Sequence, residues 1–220
     1  MSKSDYIFKK NGNKLEFVGD FDGLYISEKD PWYQSNETSG EYNLYYIYSR
    51  DRLNNKLKEI NPNSLLEVGC GLGYTTQIIQ DCLPKCDITG MDISSVAVKR
   101  ADKLFPNLKF KSSDISDVNL SLDIKYDVVV LNQLLWYILK SISDTFENCF
   151  SILNTNGRVV ISQAFLTTPQ LYAKDICDGY GGLISYLNKN MKNKFVIEYK
   201  NIDYSNHLKH NDGLIVLRKK

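Results

Sequence analysis

The sequence predicts an α/β protein built on a doubly wound, mostly parallel β-sheet with helices on both faces. Short runs rich in Val, Ile and Leu alternate with segments of helical period from about residue 61 to residue 165. The predicted strands are 64–68, 86–91, 108–112, 126–132 and 158–164, and the predicted helices between them are 74–82, 95–104 and 141–153. Two further strands, 194–203 and 213–218, are joined by a polar loop and bring the expected sheet to seven strands.

Composition places the chain among ordinary globular proteins. Its 220 residues are 43% apolar and 24% charged, which fits one domain spanning 1–220. The 27 basic and 26 acidic residues nearly balance, so the charge pattern favours neither nucleic-acid nor membrane binding. Five irregularly spaced cysteines predict reduced thiols in a cytoplasmic protein and no metal site.

The first 60 residues read as an arm followed by a helix. Asn11-Gly12-Asn13 between two mixed segments predicts a small hairpin or a loose arm. Pro31 forces an extended approach to Trp32, a tryptophan in a polar neighbourhood that either plugs the core edge or covers a ligand. Apolar residues then recur at helical spacing over 41–60, and Asn61-Pro62-Asn63 ends that helix.

The segment Ser64–Ile79 is the most informative of the chain. A buried strand is followed by Gly69, Gly71 and Gly73 and then by a helix-compatible run. Glycine allows a turn with positive φ and lets the backbone lie directly against a ligand. The helix behind the loop offers free N–H groups and a positive dipole end, so the segment predicts a nucleotide-type cradle.

Polar side chains stand at the exits of the next three strands, where ligands bind in such sheets. Asp92 ends the second core strand, 19 residues after Gly73, and can accept both ribose hydroxyls of an adenosine; the alternative is a helix N-cap. Asp114 at the third exit can accept from an adenine amine, with a turn or cap as the alternative. Further expected contacts are the apolar walls Ile93 and Ile115 and the amide of Asn132 at the fourth exit.

Two cofactor classes compete for this architecture. Nicotinamide-binding proteins carry the motif G-x-G-x-x-G, but in this sequence Tyr74 occupies the position of the third glycine. Glu67, an anion two residues before the first glycine, suits a ligand with a positive group better than a phosphate. The pattern therefore favours S-adenosylmethionine.

The motif E-V-G-C-G-L-G at 67–73 resembles the first motif of the class I S-adenosylmethionine-dependent methyltransferases. The segments around Asp92 and Asp114, with 126–138 and 153–162, resemble the later motifs in order and spacing. The resemblance implies a Rossmann-like fold whose last strand is antiparallel. It also implies that Glu67 sets the loop, and that the glycines of the loop, with Cys70 among them, pack against the methionine portion of the cofactor.

A further similarity lies upstream, where Asp30-Pro31-Trp32, Glu37-Thr38-Ser39 and Tyr46 resemble the N-terminal region of nodulation-type N-methyltransferases. That resemblance implies a lid, formed within residues 1–60, that brings Trp32 and Tyr46 over the cofactor. Residues 61–220 would then be the catalytic core, with an acceptor-site insert at about 165–192. Gly40-Glu41 departs from the pattern, since an aromatic residue is expected there.

The expected reaction is methyl transfer to oxygen or nitrogen of a small polar acceptor, such as a sugar or nucleotide-linked precursor of surface polysaccharide. His207 is the candidate base and Tyr180 belongs to the expected acceptor wall; the alternatives are a surface-loop histidine and a merely structural tyrosine. Methylation of a macromolecule, a non-catalytic cofactor-binding module and a nicotinamide oxidoreductase remain as alternative functions. The sequence lacks the N-P-P-Y signature of nucleic-acid amino-methylating enzymes.

Overall fold

A computed structural model describes residues 3–12, 14–35, 41–168, 170–204 and 210–220. At the N-terminus, a 3₁₀ turn (Lys3–Tyr6) leads into a hairpin of β1 (Phe8–Asn11) and β2 (Lys14–Phe17), followed by helices α1 (Phe21–Ser27) and α2 (Glu41–Ile60). The hairpin is one of the two forms expected from the Asn-Gly-Asn segment, and Gly12 at its tip has a φ of +59°.

The core alternates strands and helices. Its elements are β3 (Ser64–Val68), α3 (Tyr74–Cys82), β4 (Asp87–Asp92), α4 (Ser95–Leu104), β5 (Lys109–Ser112), β6 (Tyr126–Asn132), α5 (Leu135–Ile138), α6 (Ile142–Ile152), β7 (Leu153–Leu166), α7 (Gly179–Tyr186), β8 (Phe195–Asp203) and β9 (His210–Lys219). A 3₁₀ turn (Leu139–Ser141) precedes α6, and a π-helical turn (Leu187–Met191) continues α7.

The seven core strands form one sheet in the order β5-β4-β3-β6-β7-β9-β8. Strands β3 to β7 pair in parallel, while β9 runs antiparallel to both of its neighbours. The predicted doubly wound sheet with an antiparallel last strand is therefore confirmed. The order reverses between β3 and β6, which places the topological switch point beside the glycine loop.

The central strands are largely apolar because both of their faces are covered. Leu66 and Val129 face the side packed by α5 and α6, whereas Leu65 and Val128 face α2 and α3. From α2, Leu53 and Leu57 are fully buried against this second face. Although α2 lies in the first 60 residues, it is a layer of the core.

Five elements differ from the sequence prediction by more than one residue, and two of them are the helices α5 and α7, which the sequence did not predict. Helix α1 was not expected, since its seven residues are too short to show a helical period. Strand β7 begins at Leu153 rather than at residue 158 because Leu153 pairs with Tyr126 before an irregularity in the register. Strand β9 begins at His210, three residues earlier than expected.

All five cysteines are unpaired, and four of them are buried. Within the described residues, no helix is long and apolar enough to cross a bilayer. The same part of the chain contains no cluster of His, Cys, Asp or Glu able to hold a metal ion.

Candidate functional site

The glycine loop lies at the carboxyl end of β3 and needs its glycines for backbone conformation and space. Gly69, Gly71 and Gly73 all have positive φ, between +54° and +83°. A Cβ on Gly71 would lie 2.6 Å from the hydroxyl oxygen of Tyr25. A Cβ on Gly73 would lie 2.7 Å from the ring of Phe110, so this glycine is also required where α3 packs over β5.

Four backbone N–H groups of this loop are already bonded inside the protein. Gly69 N and Cys70 N both donate to Met91 O, at 2.7 and 3.0 Å. Gly73 N donates to Cys70 O at 2.9 Å, and Gly71 N donates to Asp92 Oδ2 at 2.8 Å. These donors are therefore not presented to an anionic ligand, in contrast to a loop that cradles phosphate.

A cleft opens over the loop and along the carboxyl ends of β3, β4, β5 and β6. Its free space, including the part open to solvent, is about 1170 Å³. Nine of the predicted site residues line it: Trp32, Tyr46, Gly69, Gly71, Asp92, Ile93, Asp114, Ile115 and Asn132. The structure thus brings together side chains that lie up to 100 residues apart in the sequence.

Asp92 occupies the end of β4 and is 7% exposed. Its Oδ2 accepts from Gly71 N, and its Oδ1 accepts from Ser94 N at 2.8 Å. The N-cap of α4 is Ser94, whose hydroxyl accepts from Ala97 N at 3.0 Å, so the capping alternative for Asp92 does not hold. Burial raises the pKa of Asp92, with the two backbone N–H groups acting in the opposite direction.

Glu67 lies beneath the loop and does not line the cleft. It is 1% exposed, accepts from Thr76 Oγ1 at 2.6 Å, and is also hydrogen-bonded by the Asn132 side chain. Burial raises the pKa of Glu67 to about 7, while the hydrogen bond from Thr76 and the positive charge of Arg50 act against that shift. Glu67 therefore ties the end of β3 to α3 and β6.

Arg50 is a site residue that the sequence reasoning missed. Its side chain leaves α2 and is only 6% exposed, with its guanidinium 5.5 Å from the centre of the Tyr46 ring. Nη2 of that guanidinium lies 3.5 Å from the carbonyl oxygen of Gln34, a long hydrogen bond. Tyr46 and Gln34 both line the cleft, so the buried guanidinium of Arg50 lies directly behind two residues of the cleft wall. An arginine at a core-facing position of a helix is the signal that could have revealed it.

Tyr25 is a second missed residue. It lies on α1, is 4% exposed, and lines the cleft directly above Gly71. Its oxygen accepts from Trp32 Nε1 at 3.0 Å. Within the described residues its own proton has no acceptor, so the hydroxyl can donate to a molecule in the cleft. Burial raises the pKa of Tyr25 well above its ordinary value, followed by the effect of the Asp92 charge, so the hydroxyl stays protonated.

The remaining predicted residues lie elsewhere. Cys70 is buried with its sulfur 3.0 Å from the position of a Cβ on Gly90, and neither Cys70 nor Gly73 lines the cleft. Tyr180 lies in the first turn of α7, packs edge-on against Phe165 and does not line the cleft. His207 and the Glu37-Thr38-Ser39 segment lie outside the described residues.

Residues 66–159 match a family model described as a methyltransferase domain. Putative methyltransferase 235L of Invertebrate iridescent virus 6 is 29% identical over 124 residues, covering 56% of this chain and 45% of that protein. A malonyl-[acyl-carrier protein] O-methyltransferase of Bacillus anthracis is 32% identical over 100 residues, covering 44% and 36%. The chain thus spans less than half the length of these curated relatives.

Solved structures share the fold over nearly the whole chain. The N-methyltransferase NodS of Bradyrhizobium japonicum WM9, in complex with S-adenosyl-L-homocysteine, superposes with a TM-score of 0.63 at 17% identity, covering 88% of this chain and 94% of that one. Magnesium protoporphyrin IX methyltransferase of Synechocystis PCC 6803 gives a TM-score of 0.67 at 14% identity, covering 91% and 96%. The predicted resemblance to class I methyltransferases, including its nodulation-type similarity, is confirmed.

Proposed function

From the methyltransferase-domain match and the class I fold, we propose that this chain is an S-adenosylmethionine-dependent methyltransferase. Its acceptor is a small polar molecule, such as a sugar or a nucleotide-linked precursor of surface polysaccharide. The observation that carries the cofactor assignment is the internal bonding of four loop N–H groups. Those groups would have to face a pyrophosphate in a nicotinamide-binding protein, but here they bond Met91, Cys70 and Asp92.

The residues along the cleft fit the parts of S-adenosylmethionine. Ile93 and Ile115 provide apolar walls for an adenine, and Asp92 lies between them and the loop, where ribose hydroxyls would donate to it. The glycine surface at Gly69 and Gly71 suits the methionine portion. The Tyr25 hydroxyl, which does line the cleft, supplies a donor for the carboxylate of that portion, and the positive charge of Arg50 lies behind the wall.

When bound, S-adenosylmethionine supplies an electrophilic methyl group on a positively charged sulfur. The chain contributes positioning and exclusion of water, since methyl transfer is an in-line displacement. Trp32 and Tyr137 cover the cleft with ring centroids 5.7 Å apart, and Phe21 packs edge-on against Tyr137 at 5.5 Å. These rings keep the reacting atoms away from bulk solvent.

Tyr25 and Tyr137 of the cleft are not bases. Burial raises the pKa values of Tyr25 and Tyr137 above their ordinary range, so both remain protonated at neutral pH. An acceptor hydroxyl therefore needs another base, for which we propose His207. An amine that enters as the free base needs no such group.

Two features of the cleft support a neutral or cationic acceptor. Among the residues described there, no Lys or Arg lines the cleft, whereas Asp92 and Asp114 do. The ring faces of Trp32 and Tyr46, with the amide of Gln34, suit the mixture of C–H faces and hydroxyls that a sugar presents. A malonyl group carries a carboxylate, which a cleft of this charge disfavours.

The experiment is transfer of labelled methyl from S-adenosylmethionine to a panel of amino sugars, neutral sugars and their nucleotide-linked forms, with a malonyl thioester as the competitor. We expect label in a sugar and none in the malonyl ester, and Asp92→Ala serves as the inactive control. Label in the malonyl ester alone would overturn the acceptor assignment, and label in no compound despite cofactor binding would indicate a different acceptor class.

A further inference from the structure

We propose that Asp22 and Arg100 are positioning residues that clasp α1 onto α4 and so hold Tyr25 over the glycine loop. Neither residue lines the cleft. The inference rests on the proposed function, because its readout is cofactor affinity. The proposal assigns an effect on cofactor affinity to two residues that lie outside the cleft.

The first half of the clasp is at the start of α4. Asp22, in the first turn of α1, accepts from Ser94 Oγ at 2.6 Å and from Val96 N at 3.2 Å through the same Oδ1 atom. Its Oδ2 lies 3.4 Å from Ser95 Oγ. A carboxylate from one helix thus satisfies a free N–H at the positive end of another, which stabilises both the contact and the helix end.

The second half is at the end of α1. Arg100 of α4 donates through Nη1 to Tyr25 O at 2.7 Å and to Glu28 O at 3.0 Å, and through Nη2 to the carbonyl of Lys29. These carbonyls are at and just past the last turn of α1, where unpaired acceptors and the negative end of the dipole accumulate. The guanidinium of Arg100 on α4 therefore donates to the backbone carbonyl groups at the end of α1.

The two halves act on the same residue of the cleft. Arg100 holds the backbone of Tyr25, and the side chain of Tyr25 reaches the loop at Gly71 and accepts from Trp32. Since α4 follows Asp92 directly in the chain, the clasp also fixes α1 relative to the expected ribose contact. Loss of the clasp should displace the Tyr25 hydroxyl without removing any group from the cleft.

The test is a double-mutant cycle on binding of S-adenosylhomocysteine, measured by titration calorimetry. Tyr25→Phe and Arg100→Ala should each weaken binding by about tenfold, the scale of one lost charge-assisted hydrogen bond. If Arg100 acts through Tyr25, the double variant should lose about ten- to thirtyfold rather than a hundredfold. A hundredfold loss, which is simple additivity, or an Arg100→Ala variant that binds like wild type, would overturn the proposal.

Controls separate the clasp from general destabilisation. Lys103→Ala removes an exposed cation from the same helix and should leave affinity unchanged, whereas Arg100→Lys, which can reach fewer carbonyls, should recover part of it. Hydrogen exchange of the α1 amides, measured without ligand, should quicken in Arg100→Ala and Asp22→Ala but not in Lys103→Ala. Unchanged exchange in both clasp variants would contradict the proposed contact. If the wild type fails to bind S-adenosylhomocysteine, the proposed function itself is wrong. The hydrogen-exchange experiment, which uses no ligand, still tests the contact between α1 and α4.

Discussion

Replacing Glu67 with Gln should make the protein more stable at alkaline pH. Glu67 is fully enclosed, and burial raises its pKa from 4.5 to about 7. In the unfolded chain this carboxyl ionises near 4.5, whereas in the folded protein it holds its proton until about pH 7. The free energy of unfolding contributed by this group therefore falls as pH rises through that window, and the loss is complete above it.

The size of this loss in the free energy of unfolding follows from the difference between the two pKa values, 4.5 and about 7. That difference corresponds to about 3 kcal/mol. Glutamine has nearly the same shape and can still accept from Thr76, but it never has to ionise. The stability of Glu67→Gln relative to wild type should therefore rise by about 2 to 3 kcal/mol between pH 5 and pH 8.

Urea unfolding of both proteins at pH 5, 6, 7 and 8 measures this difference, and Glu28→Gln controls for removing an exposed carboxylate. A stability difference that does not change with pH would show that Glu67 ionises normally despite its burial. A difference that changes in the opposite direction would show that Arg50 stabilises the ionised form by more than burial costs. Either result refutes the reasoning.

Three substitutions in the cleft test its assignment by cofactor binding. Asp92→Ala should weaken S-adenosylhomocysteine binding at least tenfold in titration calorimetry with the fold retained by circular dichroism, and unchanged affinity would refute the ribose contact. Trp32→Ala should raise the dissociation rate of the same ligand in stopped-flow fluorescence, and an unaltered rate would leave Trp32 as a plug over the core edge. Gly71→Ala should lower affinity by more than tenfold, because its Cβ would meet Tyr25 Oη at 2.6 Å and its φ is +54°; wild-type affinity would mean that α1 can move aside.

The strand-and-helix alternation was readable from the sequence because both faces of the sheet are covered. Runs such as Leu65-Leu66 and Val128-Val129-Val130 are apolar at every position, and their length distinguishes strands from helices. The polar strand exits were readable for a related reason, since parallel strands deliver their last residues to one edge. Asp92, Asp114 and Asn132 therefore meet in the cleft as expected.

The part of the cleft that the N-terminal residues form was harder to predict. It depends on tertiary contacts rather than on a periodic pattern of apolar residues in the sequence. Helix α1 has seven residues and is held by Asp22 and Arg100, side chains separated by 78 positions. Nothing local marks Tyr25 as a residue over Gly71, and the local sign that Arg50 is buried is its place on the same face of α2 as Leu53 and Leu57. The occupation of the loop N–H groups, which distinguishes the cofactor classes most sharply, is likewise visible only once the fold is known.

Thermal unfolding with and without ligand tests the central claim, that the cleft binds S-adenosylmethionine rather than a phosphate-bearing nucleotide cofactor. S-adenosylhomocysteine at about 100 times its dissociation constant should add about 2.7 kcal/mol of stability, or about 5 to 10 °C in the unfolding midpoint. NADH and ATP at the same concentration should leave the midpoint unchanged. An unchanged midpoint with S-adenosylhomocysteine, or a rise in the midpoint with NADH, would contradict the claim that the cleft binds S-adenosylmethionine.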